Sequence, residues 1–233
     1  SDVLFKIEGM GVTSPRLRAT PLVLVGGPPC QGFCSINPSR SKNDPRNSCV
    51  DMFLKAVEIL KPDFVLMENV TGLLSLGKGY ARTKLEDTLT SLGFFVDYKV
   101  LQAAHYGAPQ NRWRLFVTAS KIGPFYYPEP THFANIKANV AGGRALTFTA
   151  RENDLFENLE NPSTVWDAIS DLPELGNGGG AAKMSYQIPP NSKLQESLRG
   201  ASAALYNHQC QNLGPKNMER IKLIEEGGNW QSL

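Results

Sequence analysis

The sequence predicts an α/β fold, a wound sheet of strands alternating with helices, followed by a smaller and irregular domain. Three observations carry that expectation. Apolar runs at 21–27, 63–69, 94–101 and 114–120 have strand length and are bounded by Gly, Pro or charged residues. Amphipathic stretches of roughly a dozen residues follow the first two runs, the signature of a wound sheet rather than of two packed sheets. From about residue 125 onward turn signals dominate and helical ones become sparse.

"PLVLVGG" (21–27) reads as a buried strand that ends in glycine. "CVDMFLKAVEILK" (49–61) places Cys49, Phe53, Ala56, Val57 and Leu60 on one helical face and Asp51, Lys55, Glu58 and Lys61 on the other. "DFVLMEN" (63–69), bounded by Pro62, is a second strand. Thr83-x-x-Glu86 has the form of a capping box opening a helix that carries Leu85, Leu89 and Leu92. "FFVDYKVL" (94–101) and "RLFVTAS" (114–120) complete a first domain over 1–124. Residues 125–212, with "GPFYYPEPTH" and the expected flexible stretch "LGNGGGAAK" (175–183), form the irregular domain. A helix at Pro215–Glu225, with Met218, Ile221 and Ile224 on one face, places 213–233 at the seam between the two. The three tryptophans are expected to pack rather than to serve as stacking platforms.

The chain has 233 residues, enough for one large domain or a medium one with an appendage. Its four cysteines, 30, 34, 49 and 210, lack metal-type spacing, so no metal is expected, and free thiols imply a reducing compartment. No apolar run reaches the roughly 18 residues of a membrane-spanning helix, and no membrane partner is expected. A net charge of +2 neither requires nor excludes a polyanionic partner, because a local basic groove can hide in a balanced total. The opening "SDVLF", without Met, suggests a fragment or processed piece.

Chemistry concentrates at strand ends. In "GGPPCQGFC" the prolines before Cys30 fix φ and remove two backbone donors, so the thiol sits on a stiff loop. A core cysteine needs no such rigidity; a nucleophile does. Glu68 ends the next strand, where an unpartnered carboxylate is expensive to bury, and it becomes a candidate acid or hydrogen-bonding group. In "QNRWR" (110–114) Arg112 and Arg114 alternate along a strand start and point to one face. The ligand crevice of a wound sheet lies beyond the carboxyl ends of its strands, where Cys30 and Glu68 both fall.

"GGPPCQGF", "DPRNS" (44–48), "ENV" (68–70) and "YGAPQNRWR" (106–114), in this order, resemble the signature blocks of DNA (cytosine-5) methyltransferases. "YPEPTH", "SDLPEL", "SLRG" and "EGGNW" are similar to the eukaryotic, maintenance-type branch. The resemblance implies a partial Rossmann-like sheet, of the S-adenosylmethionine-dependent methyltransferase kind, with 125–212 as target-recognition domain. It implies catalytic roles for Cys30 (attack on C6 of a flipped-out cytosine), Glu68 (N3 and the exocyclic amine), Arg114 (O2) and Arg112 (support of Arg114). Pro28, Gln31, Gly32, Asn69 and Gln110 would meet the substrate, the Pro28 carbonyl accepting from the exocyclic amine. Asp2, Pro29 and Cys49 would meet S-adenosylmethionine. Double-stranded DNA is the implied partner and the nucleus the implied compartment.

The sequence departs from the family in lacking the glycine-rich first strand-loop, the acidic residue that holds the ribose, and the closing block. It therefore resembles a portion of the family's domain. Alone it is expected to bind S-adenosylmethionine poorly unless the rest of a parent polypeptide, or a complementing chain, supplies those strands. Two other readings stay open at this level: a catalytically silent DNA-binding or regulatory paralogue, and an RNA cytosine-5 methyltransferase.

Overall fold

The computed structural model describes residues 20–29, 48–74, 79–133 and 159–232. The chain divides into two compact units, Ser1–Pro162 and Ser163–Leu233. In the first, the described elements run β1 (Val23–Gly26), α1 (Ser48–Leu60), β2 (Phe64–Asn69), α2 (Tyr80–Ser91), β3 (Phe95–Gln102) and β4 (Trp113–Ser120). They build one sheet in the order β1-β2-β4-β3. The helical crossover α1 lets β1 and β2 run parallel, in register from Val23↔Phe64 to Gly26↔Met67. β3 and β4 are joined by a 3-10 turn, Ala103–Tyr106, and a short loop, and pair antiparallel. β4 is also antiparallel to β2, so the sheet is mixed. Where β1 and β2 begin, the Leu22 N–H donates to Asp63 Oδ2 at 2.8 Å and aligns the two strands.

Side-chain alternation separates the two sheet faces. Val65 and Met67 of β2, Leu115, Val117 and Ala119 of β4 and Val100 of β3 form one buried face. Over it lie Val50, Leu54 and Val57 of α1, and Leu85 and Leu89 of α2. The opposite face carries Glu68, Arg114, Phe116 and Thr118. The segment after β4 turns back over this face: the Tyr127 hydroxyl lies 3.0 Å from Thr118 Oγ1, and Lys99 Nζ stands over the Tyr127 ring.

Several local expectations are corrected. β1 is not a buried strand: Leu24 packs against the core, but Val23 and Val25 are 54% and 64% exposed, because the described helices cover only one face of the sheet. The buried stripe of α1 is Val50, Leu54, Ala56 and Val57: Ala56 and Val57 are buried as expected, but Val50 and Leu54 replace Cys49 and Phe53, which with Leu60 are only half-buried. Phe53 instead lies against Gly26, where a Cβ would come within 2.6 Å of its ring. The Thr83-x-x-Glu86 box does not start a helix: α2 begins three residues earlier, behind Gly79 in the left-handed region, with no side-chain cap. Leu85 and Leu89 are buried as expected, whereas Leu92 reaches the surface.

The second unit contains α3 (Val165–Ile169), β5 (Gly180–Ser185), α4 (Lys193–Arg199), β6 (Ala204–Gln209) and α5 (Pro215–Lys222). A true capping box occurs here, with the Thr164 hydroxyl accepting from the Asp167 N–H and the Asp167 carboxylate accepting from the Thr164 N–H. The Thr164 hydroxyl also donates to Asp167 Oδ2 at 2.6 Å, and that bond, followed by the one from the Thr164 N–H, holds the exposed Asp167 carboxyl below the usual range. The glycine run is only partly a turn. Gly180 opens β5 at φ +96°, where any Cβ would collide with the His208 carbonyl oxygen across the β5–β6 pair. α5 ends at Lys222, so Ile224 lies beyond it. Trp113 packs on the core as expected, but Trp166 and Trp230 are exposed.

Candidate active site

The parallel pairing of β1 and β2 brings Gly27 beside Glu68. A Cβ on Gly27 would sit 3.3 Å from Glu68 Oε2, so a glycine there leaves room for the carboxylate. One residue on, Asn69 points the other way and is 2% exposed. Its Nδ2 donates to the Pro28 carbonyl at 3.2 Å and its Oδ1 accepts from the Val70 N–H at 2.9 Å. Asn69 thereby fastens the Gly-Pro-Pro loop to the end of β2. A carbonyl oxygen has two lone pairs, so Pro28 keeps one for a further donor.

Glu68 projects from the open face of the sheet, diagonal to Arg114 on β4. Arg114 Nε donates to Glu68 Oε1 at 2.8 Å, with both side chains partly exposed, and Arg114 Nη1 donates to the Trp113 carbonyl at 2.7 Å. The guanidinium is fixed from two directions. These two residues, with Leu101 and Phe116, floor a cavity of about 380 Å³. Ala103, Tyr106 and Pro128 wall it, and Arg112 stands at its rim. Arg112 lies just before β4 rather than within it; its guanidinium is exposed and pairs with no carboxylate among the described residues. With one carboxylate and two guanidiniums the cavity carries a surplus positive charge over apolar and aromatic walls. A planar, hydrogen-bonding ring linked to an anion suits such a lining.

The Tyr106 hydroxyl donates to the Pro128 carbonyl at 3.1 Å, which ties the two walls together. Burial, reinforced by Glu129, raises its pKa, so the phenol stays a neutral donor. Behind it Gly107, at φ +82°, lies so close to the His132 ring that a Cβ would come within 2.8 Å.

Of the expected site residues, Glu68, Arg112 and Arg114 converge on this cavity, and Pro28 and Asn69 are joined next to it. Gln110 is exposed in the loop before β4, its N–H bonded to the Ala108 carbonyl at 2.7 Å. Cys30, Gln31, Gly32 and Asp2 lie outside the described residues. Sequence reasoning missed Tyr106, Phe116, Leu101 and Pro128. Phe116 was within reach, being the next residue in the Arg112–Arg114 alternation; Leu101 follows once β3 is paired with β4. Among the described residues no cluster suited to a metal ion occurs, and no helix is long and apolar enough to cross a membrane.

A mixed sheet with helices on its core face and an open cavity at its strand ends is the architecture of an S-adenosylmethionine-dependent methyltransferase fold. A solved structure of an E. coli prophage-encoded protein, assigned as a DNA modification methyltransferase, superposes with a TM-score of 0.60 at 20% identity, covering 94% of this chain and 59% of that one. The family is set by the sequence match: the model of the C-5 cytosine-specific DNA methylases covers residues 13–218, and the chain belongs to that family. It is 33% identical over 227 residues to DNA (cytosine-5)-methyltransferase PliMCI of Paracentrotus lividus, matching 91% of this chain and 14% of that protein. It is 32% identical over 245 residues to DNA (cytosine-5)-methyltransferase 1 of Gallus gallus (98% and 15%). Type II methyltransferase M.DdeI of Desulfomicrobium norvegicum is 31% identical over 210 residues (88% and 45%). The chain therefore spans less than half the length of each of these relatives.

Of the residues expected at the cofactor, Pro29 and Cys49 are described, an exposed imino acid and a half-buried thiol. Neither supplies the charge or paired donors that a nucleoside requires, so these two do not by themselves fit S-adenosylmethionine.

Proposed function

We propose that the chain carries the base-handling half of a DNA cytosine-5 methyltransferase site. The observation that supports this most is the Glu68–Arg114 ion pair at 2.8 Å in a cavity with Arg112 at its rim. In this reading a cytosine flipped from double-stranded DNA presents its Watson–Crick edge to Glu68 and its O2 to Arg114. Unstacking the base costs a few kcal/mol, about what several charge-assisted hydrogen bonds return.

The Cys30 thiolate adds to C6, and the electron pair of the C5–C6 bond moves into the ring. Glu68, bonded to N3 and the exocyclic amine, stabilises the charge that develops, and Arg114 stabilises O2. S-adenosylmethionine is the family's methyl donor to C5. Loss of the C5 proton and departure of the thiolate then restore the aromatic ring. Asn69 and Gly27 act on the loop geometry: one holds the Pro28 carbonyl, the other makes room for the carboxylate. Residues 1–124 carry this chemistry, 125–212 read the flanking DNA and 213–233 serve as the seam. The nucleus is the compartment this reading assigns.

Two measurements test the reading. With the chain in its full-length parent polypeptide, duplex DNA with 5-fluorocytosine at the target and S-adenosylmethionine should yield a covalent adduct that survives denaturation, because the fluorine cannot leave as a proton does. Tritium exchange at C5 of cytosine without methyl donor reports thiolate addition alone. Both signals should vanish in Cys30→Ser and fall by roughly 100-fold or more in Glu68→Gln. DNA binding with neither signal in the wild type would replace this reading with that of a silent DNA-binding protein.

A further inference from the structure

We infer that Gln102 is a positioning residue that sets Arg112 at the cavity rim; its functional part rests on the reading above, that the cavity takes a nucleotide of DNA. Gln102 ends β3 on the core face, where Val100 precedes it by two and an aliphatic residue would pack without cost. It is 1% exposed, and a primary amide is retained at such a place only when its polar atoms are used.

Both polar atoms are used. Oε1 accepts from the Arg112 N–H at 2.8 Å and from the Ala104 N–H at 3.4 Å, and Nε2 donates to Asn111 Oδ1 at 2.6 Å. The Ala103 N–H donates to the Arg112 carbonyl at 2.9 Å and closes the same clamp through the backbone. One buried amide thus joins the turn that carries Tyr106 to the loop that carries Arg112, the two sides of the cavity mouth. The Arg112 guanidinium has no partner among the described residues, so its place depends on how its backbone is held.

The test compares Gln102→Leu, Arg112→Ala and the double variant of the full chain. The readouts are amide hydrogen exchange and affinity for a duplex whose target cytosine is mispaired. Gln102→Leu should speed exchange of the Arg112 and Ala104 amides at least tenfold while Met67 and Val117 stay protected. It should weaken DNA binding about tenfold, and the double variant should bind no worse than Arg112→Ala. Unchanged Arg112 exchange, or losses that multiply in the double variant, overturns the inference.

Should Gln102→Leu loosen the whole core, Gln102→Glu and Asn111→Asp replace it. Each alone keeps a donor facing an acceptor, since the Asn111 amide can turn. Together they oppose two carboxylates and should lose tenfold in affinity and in Arg112 protection; a double variant equal to the product of its singles overturns the inference. Failure of the wild type to bind DNA counts against the proposed function, and the clamp is then judged on amide exchange alone.

Discussion

The two units solve the problem of cohesion differently. In the first, the apolar core comes mainly from two helices and the sheet beneath them, with Leu73 and Phe94 added from adjoining turns, and Met67, Leu89, Leu115 and Val117 are fully buried. In the second, the buried side chains include Asp171 and Gln195, and no large apolar residue among the described ones reaches their level of burial. Asp171 accepts from Arg199 Nε at 2.7 Å and Nη2 at 2.6 Å. The same guanidinium donates to the Ile188 carbonyl at 2.7 Å and stacks 3.7 Å above the Tyr186 ring. Gln195 receives from the Asn191 N–H, donates to the Ser170 hydroxyl and is capped by Ser192. An apolar core tolerates repacking, whereas a buried polar network fails when one member is removed.

That contrast can be broken at three points. The largest loss is expected for Arg199→Ala, which leaves the Asp171 carboxylate buried and unpaired; about 3–5 kcal/mol should disappear from the second unit alone, read as unit-resolved hydrogen exchange. Replacing both partners, Asp171→Leu with Arg199→Met, should recover most of it. Equal losses for the single and double changes would show that the pair does not hold the unit. Leu115→Ala, at the centre of the sheet, should cost the first unit about 3 kcal/mol in chemical denaturation and leave the second unit's exchange unaltered.

The smallest effect is a gain. The Tyr98 hydroxyl is buried on the core face without a hydrogen-bond partner among the described residues, and Arg82 lies 5.2 Å above its ring. Burial, and then the negative charge of Glu86, raises its pKa well above the ordinary phenol value. Because burial penalises the phenolate, stability is unaffected by this group below its unfolded pKa and falls as pH rises past it, here above about pH 10. Tyr98→Phe should add about 1 kcal/mol at neutral pH and soften the alkaline decline in thermal denaturation scans. A destabilised variant would mean that the hydroxyl has a partner after all.

The same contrast explains what could be read in advance. The strands of the first unit were legible because hydrophobic runs of that length have few alternatives, and Glu68, Arg112 and Arg114 because charge at the ends of such runs stands out. The α1 stripe was right at Ala56 and Val57 and one position off in its first turns: Cys49 and Val50 are both apolar, as are Phe53 and Leu54, and only packing decides between them. Thr83-x-x-Glu86 misled because a capping pattern inside a helix looks identical to one at its start, while the real start follows a glycine with a positive φ. In the second unit, pairs such as Asp171 with Arg199 are 28 residues apart and leave no periodic trace. Tyr106 and Pro128 were hidden for a similar reason: their meeting depends on a chain reversal after β4.

Glu68 and Asn69 sit side by side at the tip of β2 with opposite assignments, the first facing the open cavity and the second gripping the proline loop from the core side. Adding or deleting a single residue upstream in that strand would exchange their positions, plunging a carboxylate among Leu115 and its neighbours and offering an amide to the ligand. Point changes elsewhere in β2 can be absorbed one at a time. A shift in reading phase there cannot, which makes the length of this short segment a stricter inheritance than its composition.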